Sequence, residues 1–246
     1  MFRLDGLRKA RLRRTSGWIL LWASVAPSMA FAQANACHVP AQLDVPGVER
    51  PGGEVPHSVA IRSYTLALSW SPEFCRGHPD DDQCDTANGQ FGFIIHGLWP
   101  EGAGQDHPQW CAPAAPLPAA VVRAQFCAMP SARLIAHEWA KHGVCATSNP
   151  ADYFGASRRL YGALHIPDMN ALSRRPLDVG GFKRVFAAGN PAITPSALVV
   201  ANDRNGGWLR ELRICLSRDL KPQPCARAQG RGAPDGAPLK IWRGGR

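Results

Sequence analysis

The chain has 246 residues, with 28 Lys and Arg against 19 Asp and Glu and a formal net charge of +9. Six of the basic and one of the acidic residues fall within residues 1–32, so the remainder carries 22 basic and 18 acidic side chains, a net of +4. This charge is compatible with a polyanionic partner but does not by itself indicate nucleic-acid binding. The remaining length is sufficient for one sizeable hydrophobic core and predicts a single domain.

The N-terminal region has the three parts of a secretory signal peptide. A basic stretch is followed by the apolar run "GWILLWASV" and by the small-residue pattern "AFA". We predict that residues 1–32 are a signal peptide, cleaved after Ala32 or, alternatively, after Ala34. The apolar run is too short to span a membrane, which argues against a membrane anchor. Arg13 and Arg14 also permit twin-arginine export, and we expect the protein in the periplasm or outside the cell.

All eight cysteines follow this segment. An even number of cysteines in an exported chain predicts four disulfides, formed in an oxidising compartment. The alternative is a zinc site, which requires closely spaced Cys or His ligands. The sequence contains no Cys-x-x-Cys, so disulfides are the favoured interpretation.

The first half of the mature chain predicts two strands separated by loops. The segment 33–60 contains many Pro and Gly residues and predicts an irregular lead-in. "YTLALSW" (Tyr64–Trp70) alternates in polarity and predicts a strand. "FGFIIHGLWP" (Phe91–Pro100) is a β-rich apolar run that predicts a buried central strand, stopped by Pro100. Residues 101–118 predict a long loop, a place where function often resides.

Helices dominate the middle of the chain. Ser131 is predicted to cap a helix through "ARLIAHEWAKH", and Gly143 to end it. Amphipathic patterns predict two further helices, at residues 151–164 and 180–189. The irregular alternation of helices and strands does not fit a βαβ array. We therefore predict an α+β fold with a mainly antiparallel sheet.

The last part of the chain predicts a pair of strands and an extended tail. "ALVVAN" and "WLRELRICLS" are strand-like and are joined by the turn-forming "DRNGG". The tail from Ala226 is rich in Gly and Pro, apart from a short predicted strand at "LKIW". With no internal repeat in the sequence, we predict a single domain over residues 61–246.

The segment "HEWAKHGVC" (His137–Cys145) is dense in titratable side chains. A zinc protease requires histidines at i and i+4, but here Lys141 is at i+4 and His142 comes at i+5. Five residues of a regular helix rotate by about 500°, so the two histidines diverge by roughly 140°. Glu138 and His142 form an i,i+4 pair instead, and so do His137 and Lys141. A carboxylate beside three potential cations is suited to phosphate chemistry, because His and Lys can bind the phosphate oxygens while another His transfers a proton. The alternative is an ordinary solvent-exposed helix.

His96 gives the chain a second histidine-bearing element, at the end of the apolar run. A histidine in this position is most often a satisfied core residue. Together with the helix histidines, however, it supplies the two proton-transfer groups that metal-free RNA cleavage requires. A base takes the proton of the ribose 2′-OH as it attacks phosphorus, and an acid protonates the departing 5′-oxygen. Each proton transfer is typically worth ~10²–10⁴-fold in rate.

The segments "FIIHGLWP" and "HEWAKHGVC" resemble the two active-site segments of the ribonuclease T2 family. The similarity extends to "LALSWSPEFC", to "DYFGASRRLY" and to the Cys215–Cys225 region, and it covers most of residues 60–225. The resemblance implies an α+β fold and endonucleolytic cleavage of single-stranded RNA through a 2′,3′-cyclic phosphate to a 3′-phosphate, without metal or cofactor. We expect a monomer with no stable protein partner and no membrane association after signal removal.

The resemblance also implies roles by position. His142 is the expected general base and His96 the general acid. Glu138 and Lys141 would stabilise the pentacoordinate phosphorane, and His137 would hold a phosphate oxygen. The expected base-binding side chains are Trp99, Glu101 and Trp110. An aromatic face can stack on any base, so the base preference is not indicated, and a core tryptophan is the alternative for Trp99.

The disulfide pairing follows in part from the resemblance, which supports Cys111–Cys145. Cys75–Cys84 and Cys215–Cys225 are expected to close local loops of about ten residues each. Cys37–Cys127 then remains by elimination.

Two other classes of function stay open. One is a secreted RNA- or polyanion-binding protein on the same scaffold without catalytic activity. The presence of both His96 and His142 favours the enzyme over this binder. The other is a metal-dependent hydrolase, which a chelator would distinguish.

Overall fold

The structure is a computed structural model and is described for residues 34–203, 205–226, 229 and 232–244. The predicted signal peptide therefore lies outside the described residues. No helix within them is long and apolar enough to cross a bilayer.

The strands of the described residues form two antiparallel sheets. They are β1 (Ala34–Cys37), β2 (Ser63–Trp70), β3 (Gly89–Phe91), β4 (Phe93–Glu101), β5 (Leu198–Asn202) and β6 (Leu209–Ser217). A small sheet pairs β1 with β3, and the main sheet has the order β4-β2-β6-β5. The predicted α+β fold with an antiparallel sheet is confirmed, as are the strands that correspond to β2, β5 and β6.

The alternation of β2 separates a core face from a second face of the sheet. Its core-facing side chains are Leu66, Leu68 and Trp70. Ala67 and Ser69 point the other way, since successive side chains of a strand alternate. The register places Arg213 of β6 opposite Ala67 and Glu211 opposite Ser69. These two charged residues therefore share the second face.

The strand β4 is an edge strand, so the prediction of a central strand is wrong. Among the described residues it pairs in this sheet with β2 alone. Tyr153 and Tyr161 donate hydroxyl hydrogen bonds to carbonyls of β4 (3.0 and 2.6 Å), and the N–H of Ile95 donates to the carbonyl of Ala128 (2.8 Å). The helical layer thus buries and satisfies this edge, which explains the continuous apolar run. Pro100 lies inside the strand instead of stopping it, as an edge position allows.

The helices of the described residues pack on the core face of the main sheet and along β4. They are α1 (Ser71–Phe74), α2 (Ala119–Gln125), α3 (Ala132–Glu138), α4 (Val144–Ala146), α5 (Pro150–Gly162), α6 (Met169–Leu172) and α7 (Val179–Ala188). The predicted helices at 151–164 and 180–189 correspond to α5 and α7. Ser131 caps α3 as predicted, because its hydroxyl accepts the N–H of Leu134 at 3.4 Å.

Gly143 does not end the helix that begins with α3, so that prediction is wrong. The chain passes from α3 into a π turn, Trp139–Gly143, and continues into α4. Gly143 is required for close packing, because a Cβ there would lie 2.9 Å from Cζ3 of Trp139 and 3.1 Å from Cδ1 of Tyr153. A π turn has i→i+5 hydrogen bonds. The predicted divergence of His137 and His142 assumed a rotation of 100° per residue. That value does not apply across the π turn.

The structure contains disulfides between the same pairs as predicted: Cys37–Cys127, Cys75–Cys84, Cys111–Cys145 and Cys215–Cys225. The third connects the loop after β4 to α4, next to the π turn. The predicted strand at "LKIW" does not form. Lys240 instead makes an isolated parallel bridge to Trp208.

Candidate active site

His96 occupies a β-bulge in β4. The pairing with β2 passes from Leu68 opposite Ile95 directly to Ala67 opposite Gly97, so His96 is the extra residue. A bulge redirects the side chain that it inserts. This explains how a histidine within an apolar strand reaches the second face of the sheet, where about one third of its side chain is exposed.

Two carboxylates contact the imidazole of His96. Glu211 accepts a hydrogen bond from Nδ1 at 2.6 Å, and an oxygen of Glu138 lies 3.8 Å from Nε2. An ionised carboxylate can only accept, so Nδ1 carries a proton. Burial lowers the pKa of His96, but the hydrogen bond to Glu211 and the charges of both carboxylates raise it by more. The net pKa lies above the ordinary 6.5, which favours the protonated form.

Glu138 lies in the interior between α3 and β4, with 1% of its side chain exposed. Its Oε2 accepts the indole N–H of Trp99 at 3.0 Å. Gly97 permits this close approach, because a Cβ at that position would lie 2.7 Å from Cδ of Glu138. Burial raises the pKa of Glu138, against the opposing charges of His96 and His137. The structure thus brings together His96, Trp99 and Glu138.

The π turn carries Lys141 and His142. The ring centroid of His142 lies 5.9 Å from that of Trp99. Nδ1 of His142 is buried and has no hydrogen-bond partner within the described part of the chain. Burial, and then the positive charges of Lys141 and His137, lower the pKa of His142 well below 6.5. His142 is therefore neutral at pH 7, the state that a general base needs.

The lead-in segment contributes two carboxylates to the site. Glu49 contacts Nδ1 of His137 at 2.9 Å, and Nζ of Lys141 donates to Glu54 at 2.5 Å. Glu54 also accepts the indole N–H of Trp110 at 2.7 Å. The hydrogen bonds from Lys141 and Trp110 lower the pKa of Glu54. His137 and Lys141, the side chains expected to meet a phosphate and its transition state, therefore each bind an anionic oxygen here.

The site opens onto two cavities that share Trp99. The larger, of about 1070 Å³, is lined in part by His96 and His137. The smaller, of about 340 Å³, is lined in part by Lys141 and His142. Trp99 and the four basic side chains therefore border two adjoining solvent-accessible spaces and not one enclosed pocket.

The three candidates for base contact differ in their surroundings. Trp99 is half-buried, and the guanidinium carbon of Arg213 lies 5.4 Å from its ring centroid. Glu101 is buried, and both of its carboxylate oxygens make internal hydrogen bonds, one of them with His107. Trp110 is 6% exposed. Of the two tryptophans, Trp99 is the more exposed and the better placed to stack on a base.

Sequence reasoning missed Glu211 and Arg213. In "WLRELRICLS" they alternate with Leu212 and Ile214, so the pattern indicates that they share a strand face. It does not indicate which residue of another strand they meet. In the structure, Nε of Arg213 donates to Oε1 of Glu211 at 2.6 Å, so a donor contacts each oxygen of this carboxylate.

The described residues include no group of three or more His, Cys, Asp or Glu side chains arranged to hold a metal ion. What the site offers chemically is proton transfer and anion binding. One histidine is favoured in its protonated form, another is kept neutral, and both pack against Trp99, with ring centroids at 5.1 and 5.9 Å.

Comparisons with known proteins identify the family of the chain. The family model for the ribonuclease T2 family matches residues 61–175. A probable ribonuclease from Haemophilus influenzae is 36% identical over 177 residues, which cover 66% of this chain and 60% of that protein, so the match spans less than two thirds of its length. A ribonuclease from Aeromonas hydrophila is 33% identical over 164 residues, which cover 63% of this chain and 72% of that protein.

The fold is also similar to that of solved structures. The crystal structure of RNase NT in complex with 5′-AMP matches with a TM-score of 0.61 at 19% identity, over 74% of this chain and 98% of that one. At this identity the likeness concerns the fold alone. The similarity to the Aeromonas protein and the match to the family model show that the chain belongs to the ribonuclease T2 family of enzymes.

Proposed function

We propose that the chain is a metal-independent endoribonuclease that cleaves single-stranded RNA by attack of a ribose 2′-OH on the adjacent phosphorus. The observation that carries the proposal is the pair of histidines with opposite pKa shifts, both packed against Trp99. A neutral base and a protonated acid are the two groups that this reaction needs, and neither requires a metal. Membership of the ribonuclease T2 family supports RNA as the substrate.

The first step is a transphosphorylation. His142 removes the proton of the 2′-OH, whose oxygen forms a bond to phosphorus while the bond from phosphorus to the 5′-oxygen breaks. His96 gives its Nε2 proton to that departing oxygen. The products are a 2′,3′-cyclic phosphate and a 5′-hydroxyl, and the two histidines have exchanged protonation states.

The second step opens the cyclic phosphate. His96, now neutral, takes a proton from a water molecule that attacks phosphorus. His142, now protonated, returns its proton to the 2′-oxygen as that bond breaks. The product is a 3′-phosphate, and both histidines regain their starting states.

Three further side chains are assigned to the charge that develops on the phosphorane. Lys141 and His137 each contact a carboxylate oxygen of the lead-in, so their side chains are accessible to an anionic group. Glu138 is held between strand and helix and acts with Lys141 in stabilising the transition state. Groups that are fixed before the reaction stabilise such charge without reorganisation. We assign Trp99 to stacking on a base of the substrate.

We further propose that the protein is exported and acts in the periplasm or outside the cell. The pairing of all eight cysteines supports an oxidising compartment. The signal peptide over residues 1–32 and the single catalytic domain over residues 61–246 belong to this proposal.

The test offers purified mature protein an RNA strand and the DNA strand of identical sequence in excess EDTA. We expect RNA cut to 2′,3′-cyclic or 3′-phosphate ends, intact DNA, and loss of cleavage by orders of magnitude in His142→Phe. Cleavage that appears only after a divalent metal is added would contradict the proposal and indicate a metal-dependent hydrolase. RNA binding without cleavage under either condition would indicate an RNA-binding protein without catalytic activity.

A further inference from the structure

We propose that Glu211 is a positioning residue for the acid step: it holds the Nδ1 side of His96 so that a protonated Nε2 faces the departing oxygen, and Arg213 holds Glu211 in place. This inference rests on the proposed function, because it concerns the same histidine. It adds a residue from β6, an element outside both segments that carry the family resemblance.

The geometry fixes Glu211 from two sides. Its Oε2 accepts from Nδ1 of His96 at 2.6 Å, and its Oε1 accepts from Nε of Arg213 at 2.6 Å. Glu211 is buried and lies on the inner strand β6, opposite Ser69 of β2. A buried carboxylate with a donor on each oxygen, on a strand paired on both sides, has little freedom to move. Charge-assisted hydrogen bonds of this kind are roughly twice as strong as neutral ones.

The contact determines which nitrogen of His96 is available for chemistry. Since Glu211 accepts at Nδ1, the second ring proton of the imidazolium resides on Nε2. Glu138 lies 3.8 Å from Nε2, which is beyond hydrogen-bond distance. The Nε2 proton is therefore not committed to Glu138 and can be given to a leaving oxygen. Without Glu211, the ring of a partly exposed His96 could rotate away from this orientation.

The charged groups around His96 come from three elements. Glu211 and Arg213 face it from β6, Glu138 from α3 and His142 from the π turn. The two carboxylates favour the imidazolium, whereas Arg213 opposes it. Hydrogen bonds and charges from His96 and Arg213 also outweigh burial and lower the pKa of Glu211, which keeps that carboxylate ionised. With a neutral side chain at position 211, Glu138 alone would raise the pKa of His96, and the charge of Arg213 would lower it. The protonated form of His96 would then be less favoured.

Arg213 connects this pair to the substrate side of the site. Its guanidinium carbon lies 5.4 Å from the ring centroid of Trp99, and both residues line the two cavities. A guanidinium near an aromatic face is attracted by the ring. The orientation of the acid and the position of the stacking platform are therefore coupled through Arg213.

The first experiment measures kcat/KM against pH on a dinucleotide for wild type, Glu211→Gln and Glu211→Asp. Asp235→Asn is the control, because it removes a carboxylate from an ion pair with Lys183 (2.8 Å) outside both cavities of the site. In Glu211→Gln the basic limb moves to lower pH by at least about one unit, since an adjacent opposite charge is lost. The acid limb, set by His142, stays in place. Glu211→Asp keeps the charge at a longer distance and moves the basic limb by less.

The second experiment changes the leaving group. The 4-nitrophenolate group of a 3′-nucleotide 4-nitrophenyl ester departs without receiving a proton from an acid. The 5′-oxygen of the leaving nucleoside in a dinucleotide needs such a proton. At alkaline pH, Glu211→Gln loses about tenfold on the dinucleotide, the factor that corresponds to one unit of pKa, and stays within about twofold of wild type on the ester. In a His96→Ala background, Glu211→Gln costs nothing further, because the two residues act through one proton.

Three results would overturn the inference: an unmoved basic limb in both Glu211 variants, equal losses on the two substrates, or additive losses in the double variant. If Glu211→Gln does not fold, Glu211→Asp carries the same test, with a smaller shift in the same direction. An inactive wild type would overturn the proposed function itself. An active wild type that needs His96 but is indifferent to Glu211 would overturn this inference alone.

Discussion

Replacing Gly97 with alanine tests whether the close approach of Glu138 to β4 is needed for catalysis. The added methyl group would lie 2.7 Å from Cδ of Glu138, and it would meet Oε2 and the indole nitrogen of Trp99 as well. Carbon atoms in contact are separated by about 3.5 Å, so the carboxyl carbon must retreat by at least about 0.8 Å, and the closer Oε2 must move by more. The 3.0 Å hydrogen bond from Trp99 to Glu138 is lost or displaced by this movement. A misplacement of about 1 Å in an active site can cost about 10²-fold, and we expect kcat/KM to fall by that factor.

The assay is steady-state cleavage of a dinucleotide, together with binding of a 2′-deoxy strand that cannot be cleaved. We expect binding to fall by less than kcat/KM does, because the phosphate contacts proposed for Lys141 and His137 are retained and only the stacking proposed for Trp99 is disturbed. Gly236→Ala is the matched control, since a Cβ at Gly236 meets no atom within 4 Å. Circular dichroism and thermal unfolding report whether the variant keeps its fold.

Activity of Gly97→Ala within about threefold of wild type would refute the reasoning. A second refutation is available from the Glu138→Ala background. If Gly97 acts mainly by making room for Glu138, the alanine substitution costs less once that carboxylate is gone, because only the contact with the indole nitrogen of Trp99 remains. An undiminished loss in that background would mean that Gly97 acts through another contact.

Two further predictions concern the lead-in and the disulfides. Glu54→Gln removes the charge that pairs with Lys141 but can still accept the N–H of Trp110. We expect it to strengthen binding of the 2′-deoxy strand by up to about fivefold, because an exposed ion pair worth about 0.2–1 kcal/mol no longer competes for Lys141. Fluorescence titration measures this, and weaker binding would contradict the competition. Replacing the Cys111–Cys145 disulfide with two serines lowers the free energy of unfolding by roughly 3–4 kcal/mol, against roughly 2.5–3 kcal/mol for Cys75–Cys84, because their sequence separations are 34 and 9. Urea unfolding ranks the two variants, and the reverse order would contradict the loop-length argument.

The elements predicted correctly are those whose sequence pattern is local. The alternation of "YTLALSW" identifies β2 because one face of that strand is core and the other is not. The helices α5 and α7 have amphipathic patterns and side-chain caps from Asn149 and Asp178. The residues of the two candidate active-site segments were selected from residue type and spacing, which is possible because each segment lies on one strand or one helical stretch, and their roles stay predictions.

The features that the sequence did not predict depend on contacts distant in the chain. The apolar run of β4 reads as central because the helices bury its outer edge, and periodicity does not distinguish a covering helix from a neighbouring strand. The π turn depends on packing of Trp139 against Gly143 and Tyr153, which a rotation of 100° per residue does not include. Glu211 reaches His96 across 115 residues.

The contacts of the lead-in segment also could not be predicted from the sequence. Its Pro and Gly content predicts irregular backbone over residues 33–60, which is wrong for Ala34–Cys37, because these residues form β1 by pairing with the distant strand β3. The composition gives no sign, however, that Glu49 and Glu54 bind His137 and Lys141, about 90 residues later in the chain. Irregular segments have no periodicity from which a contact could be predicted, so their role emerges only from the fold.

The dependence of kcat/KM on pH, from about pH 4 to about pH 9 and with chemistry limiting, tests the two-histidine mechanism most directly. The general base must be neutral, and burial lowers the pKa of His142 well below 6.5, so activity falls only as pH drops through that lower value. The general acid must be protonated, and its carboxylate partners raise the pKa of His96 above 6.5, so activity falls as pH rises through that higher value. The account predicts a bell-shaped profile with its acid limb below pH 6.5 and its basic limb above it. A flat profile across this range would contradict the mechanism.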